Sequence, residues 1–331
     1  MNKLLGGKIL VVGGAGYIGS HMVMLLHKSG FEVVTFDNLS TGYRDSVLVG
    51  DFILGDLADH AALRTVFSTN QFDAVMHLAS CIQVAESLTN PSKYYRNNVT
   101  NSLSLLDTML EFGVKKFVFS STAAIFGMPS YLPIDEKHAK LPVNPYGASK
   151  LMVERIMADY GTAYGLNSIS LRYFNAAGAD PECRVGERHD PETHLIPLLL
   201  QVVSGRRSHI VVNGNDYETP DGTCIRDYIH VQDICHAHLL ALAYLNKYET
   251  SASFNLGNGK GYSVREVIDM VTKVTGKKIL LKYGSRRIGD SACLLSDSTQ
   301  AKNQLGWAPQ FSDLEKIIEH AWKWELKNDK K

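Results

Sequence analysis

Along the first half of the chain, short apolar runs alternate with longer stretches in which apolar residues recur every three or four positions. Ile9–Val12, Glu32–Phe36, Asp51–Leu54, Asp73–His77, Lys116–Ser120 and Ser168–Tyr173 read as strands, several of them apolar enough to be buried on both faces. Between them, Ser20–Ser29, Ala61–Ser68, Pro91–Phe112 and a segment opening at Asn144-Pro145 and running to Tyr160 carry helical spacing. Asn144 and Pro145 are an N-cap and a first-turn proline, and Gly30 and Gly113 are stops. Strict alternation of strand and helix predicts an α/β fold of Rossmann type. This is a doubly wound parallel sheet with its ligands at the carboxyl ends of the strands.

The alternation weakens near residue 175. A polar loop at Pro181–Pro191 precedes an apolar helix at Leu195–Gly205, a strand at Ile210–Val212, an open loop at Asn213–Gly222 and a helix at Ile234–Leu245 opened by Asp233. Ser263-x-x-Glu266 and Ser312-x-x-Glu315 are capping-box patterns for two further helices, the first stopped by Gly276. The expected division is a nucleotide-binding domain at 1–174 and a smaller α/β substrate lobe at 175–331. Some strands and helices of the second part may be expected to return to the first, and only the tail at 328–331 looks frayed.

Composition narrows the class. Of 331 residues, 45% are apolar and 21% charged, enough to bury a core, and Lys+Arg and Asp+Glu balance at 34 each. No overall field therefore recruits nucleic acid or an anionic membrane. No run is long enough to span a bilayer, and the first residues lack the apolar core of a signal peptide, so a cytoplasmic protein is expected. Cys81, Cys183, Cys224, Cys235 and Cys293 are scattered and odd in number, which fits reduced thiols. His236 and His238 lie two apart on a helix and face apart, so no metal site is expected.

The candidate chemistry begins where the first strand runs into Gly13-Gly14-Ala15-Gly16-Tyr17-Ile18-Gly19. Gly13 permits a tight turn, Gly16 lets the backbone approach a pyrophosphate at a helix N-terminus, and Gly19 lets helix pack on strand. Asp37 ends the second strand about 20 residues on, where a carboxylate accepts hydrogen bonds from a ribose and repels a 2′-phosphate. The expected cofactor is therefore NAD rather than NADP. Asp56, at the end of the third strand, is placed to hold an adenine amino group. Asn97 and Asn98 are polar residues in an apolar stripe, suited to a cofactor or a capping role.

Further along, Tyr146-x-x-x-Lys150 places a phenol and an ammonium one turn apart on the helix after the strand that ends in Ser121-Thr122. A tyrosine with a pKa near ~10 is a poor base at neutral pH unless nearby positive charge stabilises its phenolate. Lys150 supplies such a charge.

These residues together resemble the extended short-chain dehydrogenase/reductases, and within them the UDP-glucose 4-epimerases, over nearly the whole chain. The matching stretches include the glycine turn, Phe36-Asp37-Asn38-Leu39, Tyr94-Tyr95-Arg96-Asn97-Asn98-Val99, Tyr146–Lys150 and Arg172-Tyr173-Phe174-Asn175. They continue with Gly214-Asn215-Asp216-Tyr217, Asp221-Gly222-Thr223, Arg226-Asp227-Tyr228-Ile229-His230-Val231 and Arg286-Arg287-x-Gly289-Asp290. The resemblance implies a tightly held NAD that oxidises a UDP-sugar at C4 and returns the hydride to the other face, with no net redox change. Tyr146 is then the base, Lys150 its electrostatic partner and Thr122 the hydroxyl on the sugar oxygen. Cofactor contacts carried over are Gly13, Gly16, Tyr17, Ile18, Gly19, Asp37 and Asn38, then Asp56, Leu57, Leu78, Ala79, Asn97 and Phe174, beside Thr122, Tyr146 and Lys150. On the substrate side Asn175, His194 and Leu195 would meet the sugar and diphosphate, Arg226 and Arg287 the phosphates, and Asp290 the uridine ribose. Val211, Asn213, Tyr228 and Leu294 complete that set beside Thr122 and Tyr146.

Three departures from the family pattern matter. Thr122 replaces the more familiar Ser, Ile82 stands where some relatives have a Lys near the nicotinamide ribose, and Leu294 falls where a bulky Tyr confines the pocket to plain hexoses. Weaker NAD retention and partial acceptance of N-acetylated sugars are expected. Alternative readings are a UDP-N-acetylglucosamine or UDP-pentose 4-epimerase, a dehydratase or decarboxylase, and a non-catalytic NAD sensor. Ala123-Ala124 in place of an acid after Thr122 argues against a dehydratase, and the complete Thr122, Tyr146 and Lys150 set argues against a sensor. The resemblance also implies a homodimer, through helices around Pro91–Phe112 and Leu151–Tyr160.

Overall fold

The fold is described from a computed structural model covering residues 6–287 and 289–328. Residues 1–5 of the N-terminal segment read for a signal peptide, and 329–331 of the tail expected to fray, lie outside the described residues. In chain order the first part comprises β1 (Lys8–Val12), α1 (Tyr17–Lys28), β2 (Glu32–Asp37), β3 (Asp51–Leu54), α2 (His60–Ser68), β4 (Ala74–His77), α3 (Val84–Thr89), α4 (Pro91–Tyr94), α5 (Asn101–Glu111), β5 (Lys116–Thr122), α6 (Pro145–Tyr164) and β6 (Asn167–Tyr173). It continues with β7 (Asn175–Ala177), α7 (Leu195–Ser204), β8 (Ile210–Asn213), β9 (Ile225–His230), α8 (Val231–Tyr248), β10 (Ala252–Leu256), β11 (Gly261–Ser263), α9 (Val264–Thr275), β12 (Leu281–Gly284), β13 (Cys293–Leu294) and α10 (Leu314–Asn328).

Seven parallel strands form the large sheet in the order β10-β6-β5-β4-β1-β2-β3, so the chain reverses direction of travel between β1 and β4. Because successive side chains on a strand alternate in direction, Ile9 and Val11 of β1 pack with α1 and α8 on one face, while Leu10 and Val12 pack with α2, α5 and α6 on the other. Each of these large side chains taken fully out of water contributes roughly 1.5–3 kcal/mol. The doubly wound sheet read from the sequence is therefore present, with its ligand crevice at the β1/β4 switch.

Beyond residue 175 the chain serves both layers. β10 adds the seventh strand beside β6, and α8 packs on α1. The smaller lobe has a four-stranded sheet, in which β9 pairs β7, β11 and β13, and a β8–β12 pair, backed by α7, α9 and α10. β7, β9, β10, β11, β12 and β13 were not among the strands expected, being short or interrupted by polar residues. At the centre Asp227 is fully buried and accepts the amides of Asn258 (2.8 Å), Gly259 (2.9 Å) and Ser296 (3.2 Å). Burial pushes its carboxyl up to about 6 against those three amides.

Two local expectations change. The Pro91–Phe112 helix is α4 and α5 joined by a π-helical turn at Tyr95–Thr100, an inserted residue that periodicity does not register and that recurs at functional sites. The capping box at Ser263 and Glu266 forms, but at the last helix the Asp313 carboxylate accepts the Glu315 amide (3.1 Å) immediately before α10, in place of Ser312.

Candidate active site

The glycine turn is held by its surroundings. Gly13 adopts φ +83° and donates to the Phe36 carbonyl (2.9 Å), and a Cβ there would overlap the Ala79 backbone. A Cβ on Gly19 would overlap the Gly13 carbonyl oxygen, whereas one on Gly16 would meet only that oxygen, at 3.4 Å. Helix α1 starts at Tyr17, three residues earlier than expected, with Gly16 as a cap that offers no side chain. The first-turn amides of Tyr17, Ile18 and Gly19 therefore have no intrahelical acceptor and face a clear approach over Gly16. This is a cradle of the right chemistry for a pyrophosphate.

Asp37 extends the cradle. Its Oδ2 accepts the Ala15 amide (2.9 Å) and its Oδ1 the Leu39 amide (2.8 Å), which oppose the upward push of burial on its carboxyl. Asn38 Nδ2 donates to Asp56 Oδ2 (2.7 Å), so those two carried-over residues touch each other, and Leu57 is buried beside them. Both the Leu78 and Ala79 amides go to the Val12 carbonyl, leaving their side chains as the surface at the end of β4. The Tyr17 hydroxyl donates to the Gly178 carbonyl (2.6 Å) and ties α1 to the second half of the chain. Of the two asparagines in the π-helical turn, Asn98 braces the loop after β4: its Oδ1 accepts the Cys81 amide (2.9 Å) and its Nδ2 donates to the Cys81 carbonyl (3.0 Å). Asn97 donates to Asn98 Oδ1 (2.9 Å). Ile82, in that loop, is 38% exposed.

At the carboxyl end of β5 the reactive groups converge. Thr122 accepts the Ala124 amide (3.1 Å), which leaves its hydroxyl proton available to a neighbouring acceptor. Burial raises the Tyr146 pKa and the Thr122 hydroxyl opposes the rise. Lys150 is buried, donates to the Ser120 carbonyl (2.8 Å) and sits 4.8 Å from the centre of the Phe119 ring. Burial pulls its ammonium down to about 7, with Cys81 and Glu154 opposing. Its ammonium donates to backbone and not to Tyr146, and a phenolate at neutral pH requires positive charge nearby, which is what an oxidised nicotinamide brings. The residues present thus fit NAD in both halves: a phosphate cradle at α1 and a phenol awaiting a cation at α6.

Sequence reasoning missed the support beneath. Arg172 of β6 makes a two-pronged bond to Glu154 (2.9 and 2.7 Å), and Ser121 donates to the same carboxylate (2.6 Å). Glu154 lies four residues beyond Lys150, a spacing that alone could have suggested it. Tyr173 hydrogen-bonds Ser120, and burial raises its phenol strongly. Phe174 and Leu294 pack with Ile125, Phe126 and Ile134, placing Leu294 beside the segment that follows Thr122.

Most of the residues expected on the substrate side gather on the smaller lobe. Asn175 donates to the Asp227 carbonyl (3.0 Å). Arg226 and Asp290 form an ion pair (3.0 Å), and the Arg287 guanidinium reaches the Asn213 side-chain oxygen (3.2 Å) once that amide is oriented to accept. Val211 is exposed, Tyr228 is buried in the lobe's core, and Leu195 opens α7. His194 is the N-cap residue of α7, and its Nδ1 meets Glu187 (2.8 Å) and Glu192 (3.1 Å). His189 Nδ1 approaches the same two carboxylates at 3.3 and 3.5 Å. Burial alone would lower both imidazoles, but the two carboxylates raise His189 to about 9 and His194 to about 10. This cluster falls in and just after the segment expected to be a plain polar loop.

The chain is similar to known proteins over nearly its whole length. A UDP-glucose 4-epimerase of Halalkalibacterium halodurans is 50% identical over 316 residues, 96% of this chain and 95% of the relative. One of Streptococcus mutans is 51% identical over 319 residues, 96% of each chain. The crystal structure of the Brucella ovis UDP-glucose 4-epimerase in complex with NAD superposes with a TM-score of 0.93 at 46% identity, covering 96% of this chain and 98% of that one. Residues 9–257 match the NAD dependent epimerase/dehydratase family, and the chain belongs to it.

Proposed function

We propose that this protein is a nucleotide-sugar 4-epimerase that interconverts UDP-galactose and UDP-glucose. The observation that carries the reading is the set of buried Thr122 at the carboxyl end of β5 with Tyr146 and buried Lys150 one turn apart on α6, and the phosphate cradle across the switch point. NAD, held by the cradle at Tyr17, Ile18 and Gly19 and by Asp37, would supply a reversible hydride acceptor for C4 of the sugar. Tyr146 Oη takes the proton of the C4 hydroxyl and gives it back to the same oxygen after the 4-keto sugar has turned over. Thr122 Oγ1 donates to that oxygen and keeps it within reach of the phenol. Lys150 keeps positive charge next to the phenolate. Arg226 and Arg287 bind the diphosphate, for which planar guanidinium donors are suited, and Asp290 binds the uridine ribose. Asn175, His194 and Leu195 line the sugar. No carboxylate follows Thr122, where Ala123 and Ala124 stand, so the base chemistry stays at C4 and does not pass to C5.

Among the described residues no helix is long and apolar enough to cross a membrane. A cytoplasmic homodimer remains the reading, its interface on the helices around Pro91–Phe112 and Leu151–Tyr160; Met152 of α6 is exposed there, and Val84 and Leu88 are exposed on α3, which packs against α6 but lies outside the expected helices. The functional test is NMR of UDP-galactose, UDP-N-acetylgalactosamine and UDP-arabinose, each incubated with purified protein and no added hydride donor. Conversion of UDP-galactose to UDP-glucose is expected, and a mixture that stays unchanged with NAD present overturns the reading.

A further inference from the structure

Between β7 and α7 the chain places Glu187, His189, Glu192 and His194 in one cluster, each offering a ligand atom within 4.8 Å of all the others. The Glu187 and Glu192 side chains are 6% and 4% exposed. Two buried carboxylates converging on two imidazoles need a strong compensating partner, because each desolvated charge costs several kcal/mol. Hydrogen bonding supplies only part of it. Glu192 Oε1 accepts the amides of Thr193 (2.7 Å) and His194 (2.9 Å), but Glu187 Oε1 and His189 Nδ1 are buried without a hydrogen bond of good geometry although they lie 3.3 Å apart.

We infer that Glu187, His189, Glu192 and His194 bind a divalent first-row transition-metal ion, zinc foremost, in a closed four-ligand structural site. The distances suit it. Ligand atoms at ~2.1 Å from a tetrahedral ion are about 3.4 Å apart, and the four His–Glu separations run from 2.8 to 3.5 Å. The donor chemistry selects the metal: imidazole nitrogens disfavour Ca²⁺ and Mg²⁺, which take oxygen ligands, and suit Zn²⁺ and its neighbours. The two amides on Glu192 orient that carboxylate as outer-shell partners do in metal sites. The cluster closes on itself with four protein groups and so leaves no open position for a reacting water.

Its place in the fold gives it a task. The His189 ring stands edge-on to Tyr17 (6.3 Å between centres), the first residue of α1, and neighbouring Arg188 lies over Tyr43 and pairs with Asp45 of the loop after β2. His194 begins α7. One ion therefore fastens the phosphate-binding helix, the loop after β2 and the start of α7 together, setting where Leu195 meets the sugar.

The test uses untagged full-length protein, treated with chelator, reloaded with one equivalent of ZnCl2 and passed through gel filtration before elemental analysis. About one ion per chain is expected, with His189→Ala retaining at least tenfold less. Loading wild-type protein with CoCl2 should give the intense visible bands of four-coordinate cobalt, and chelator should lower Tm by several degrees. Glu187→Gln, which preserves volume, covers the case in which His189→Ala does not fold. Below about 0.1 ion per chain in reloaded wild-type protein, the proposal is wrong and the cluster is two imidazolium–carboxylate pairs. Metal retained undiminished in both variants overturns it equally.

Discussion

Glu154→Gln tests the packing that holds the reacting groups. In the structure both carboxylate oxygens are engaged by Arg172, Ser121 adds a third bond, and the Glu154 and Arg172 side chains are only 8% and 4% exposed. Ser121 and Arg172 are register partners on β5 and β6, so Glu154 clamps α6 to the strand ends that carry Thr122 and Tyr173. Gln keeps the length and one acceptor, but it removes the charge and turns an N–H toward a donor. Losing one partner of a buried pair costs about 3–5 kcal/mol, and the retained acceptor places this substitution near the lower figure, about 3 kcal/mol. A second effect follows from Lys150. Burial already holds its ammonium down to about 7, and Glu154 is one of two groups that oppose this. Without it the lysine loses its proton at lower pH, so the fall of kcat on raising pH should begin earlier. Urea unfolding of the NAD-bound protein and a kcat–pH profile measure the two effects separately. A stability loss under about 1 kcal/mol together with an unmoved profile would refute the reasoning.

Tyr146→Phe removes the proton acceptor and should lower kcat by ~10²-fold or more while leaving NAD binding intact; near-normal turnover would remove Tyr146 from its role. Reconstitution of chelator-free apo-protein should favour NAD over NADP because Asp37 ends β2, and with Ile82 offering no charge, part of the NAD should leave on extended dialysis. Leu294→Tyr should lower the kcat/KM ratio of UDP-N-acetylgalactosamine over UDP-galactose, by an amount worth ~1–3 kcal/mol, and an unchanged ratio means that this wall does not gate the sugar. Buried His21 and His238 are held down to about 4 by desolvation, so they stay neutral in the fold while unfolded chains take up protons below about 6.5. Their stabilisation is complete above that pH and is lost as pH falls through 4, and chemical denaturation at equal stability between pH 7 and 4.5 would contradict it.

The nucleotide half was legible because its central strands are buried on both faces. β1, β2 and β4 read as apolar runs, and the glycine turn and Asp37 sit at fixed offsets from them. Tyr146, Lys150 and Thr122 were legible by position on the following strand and helix. In the smaller lobe the same signals fail for physical reasons. β9 carries Arg226, Asp227 and His230 in six residues, and what keeps it a strand is the fully buried Asp227 collecting amides from two loops far along the chain. β10 is only Ala-Ser-Phe-Asn-Leu and owes its place to the open edge of β6. No local pattern announces either partner.

The same distinction separates what this chain holds rigidly from what it can vary. Several groups expected to face the cofactor are fixed by backbone: the Gly13 turn against Ala79, the Asp37 carboxylate on two amides, the Lys150 ammonium on the Ser120 carbonyl. Several groups expected on the substrate side are instead held by other side chains: Arg226 by Asp290 and Arg287 by Asn213. Side-chain pairs of that kind exchange partners when a diphosphate enters, because a guanidinium can trade a carboxylate for a phosphate oxygen at similar geometry. A backbone cradle cannot. Replacing substrate-side residues should therefore shift KM and sugar preference while leaving the NAD site whole, whereas a Cβ added at Gly13 or Gly19 has nowhere to go and should cost the cofactor itself.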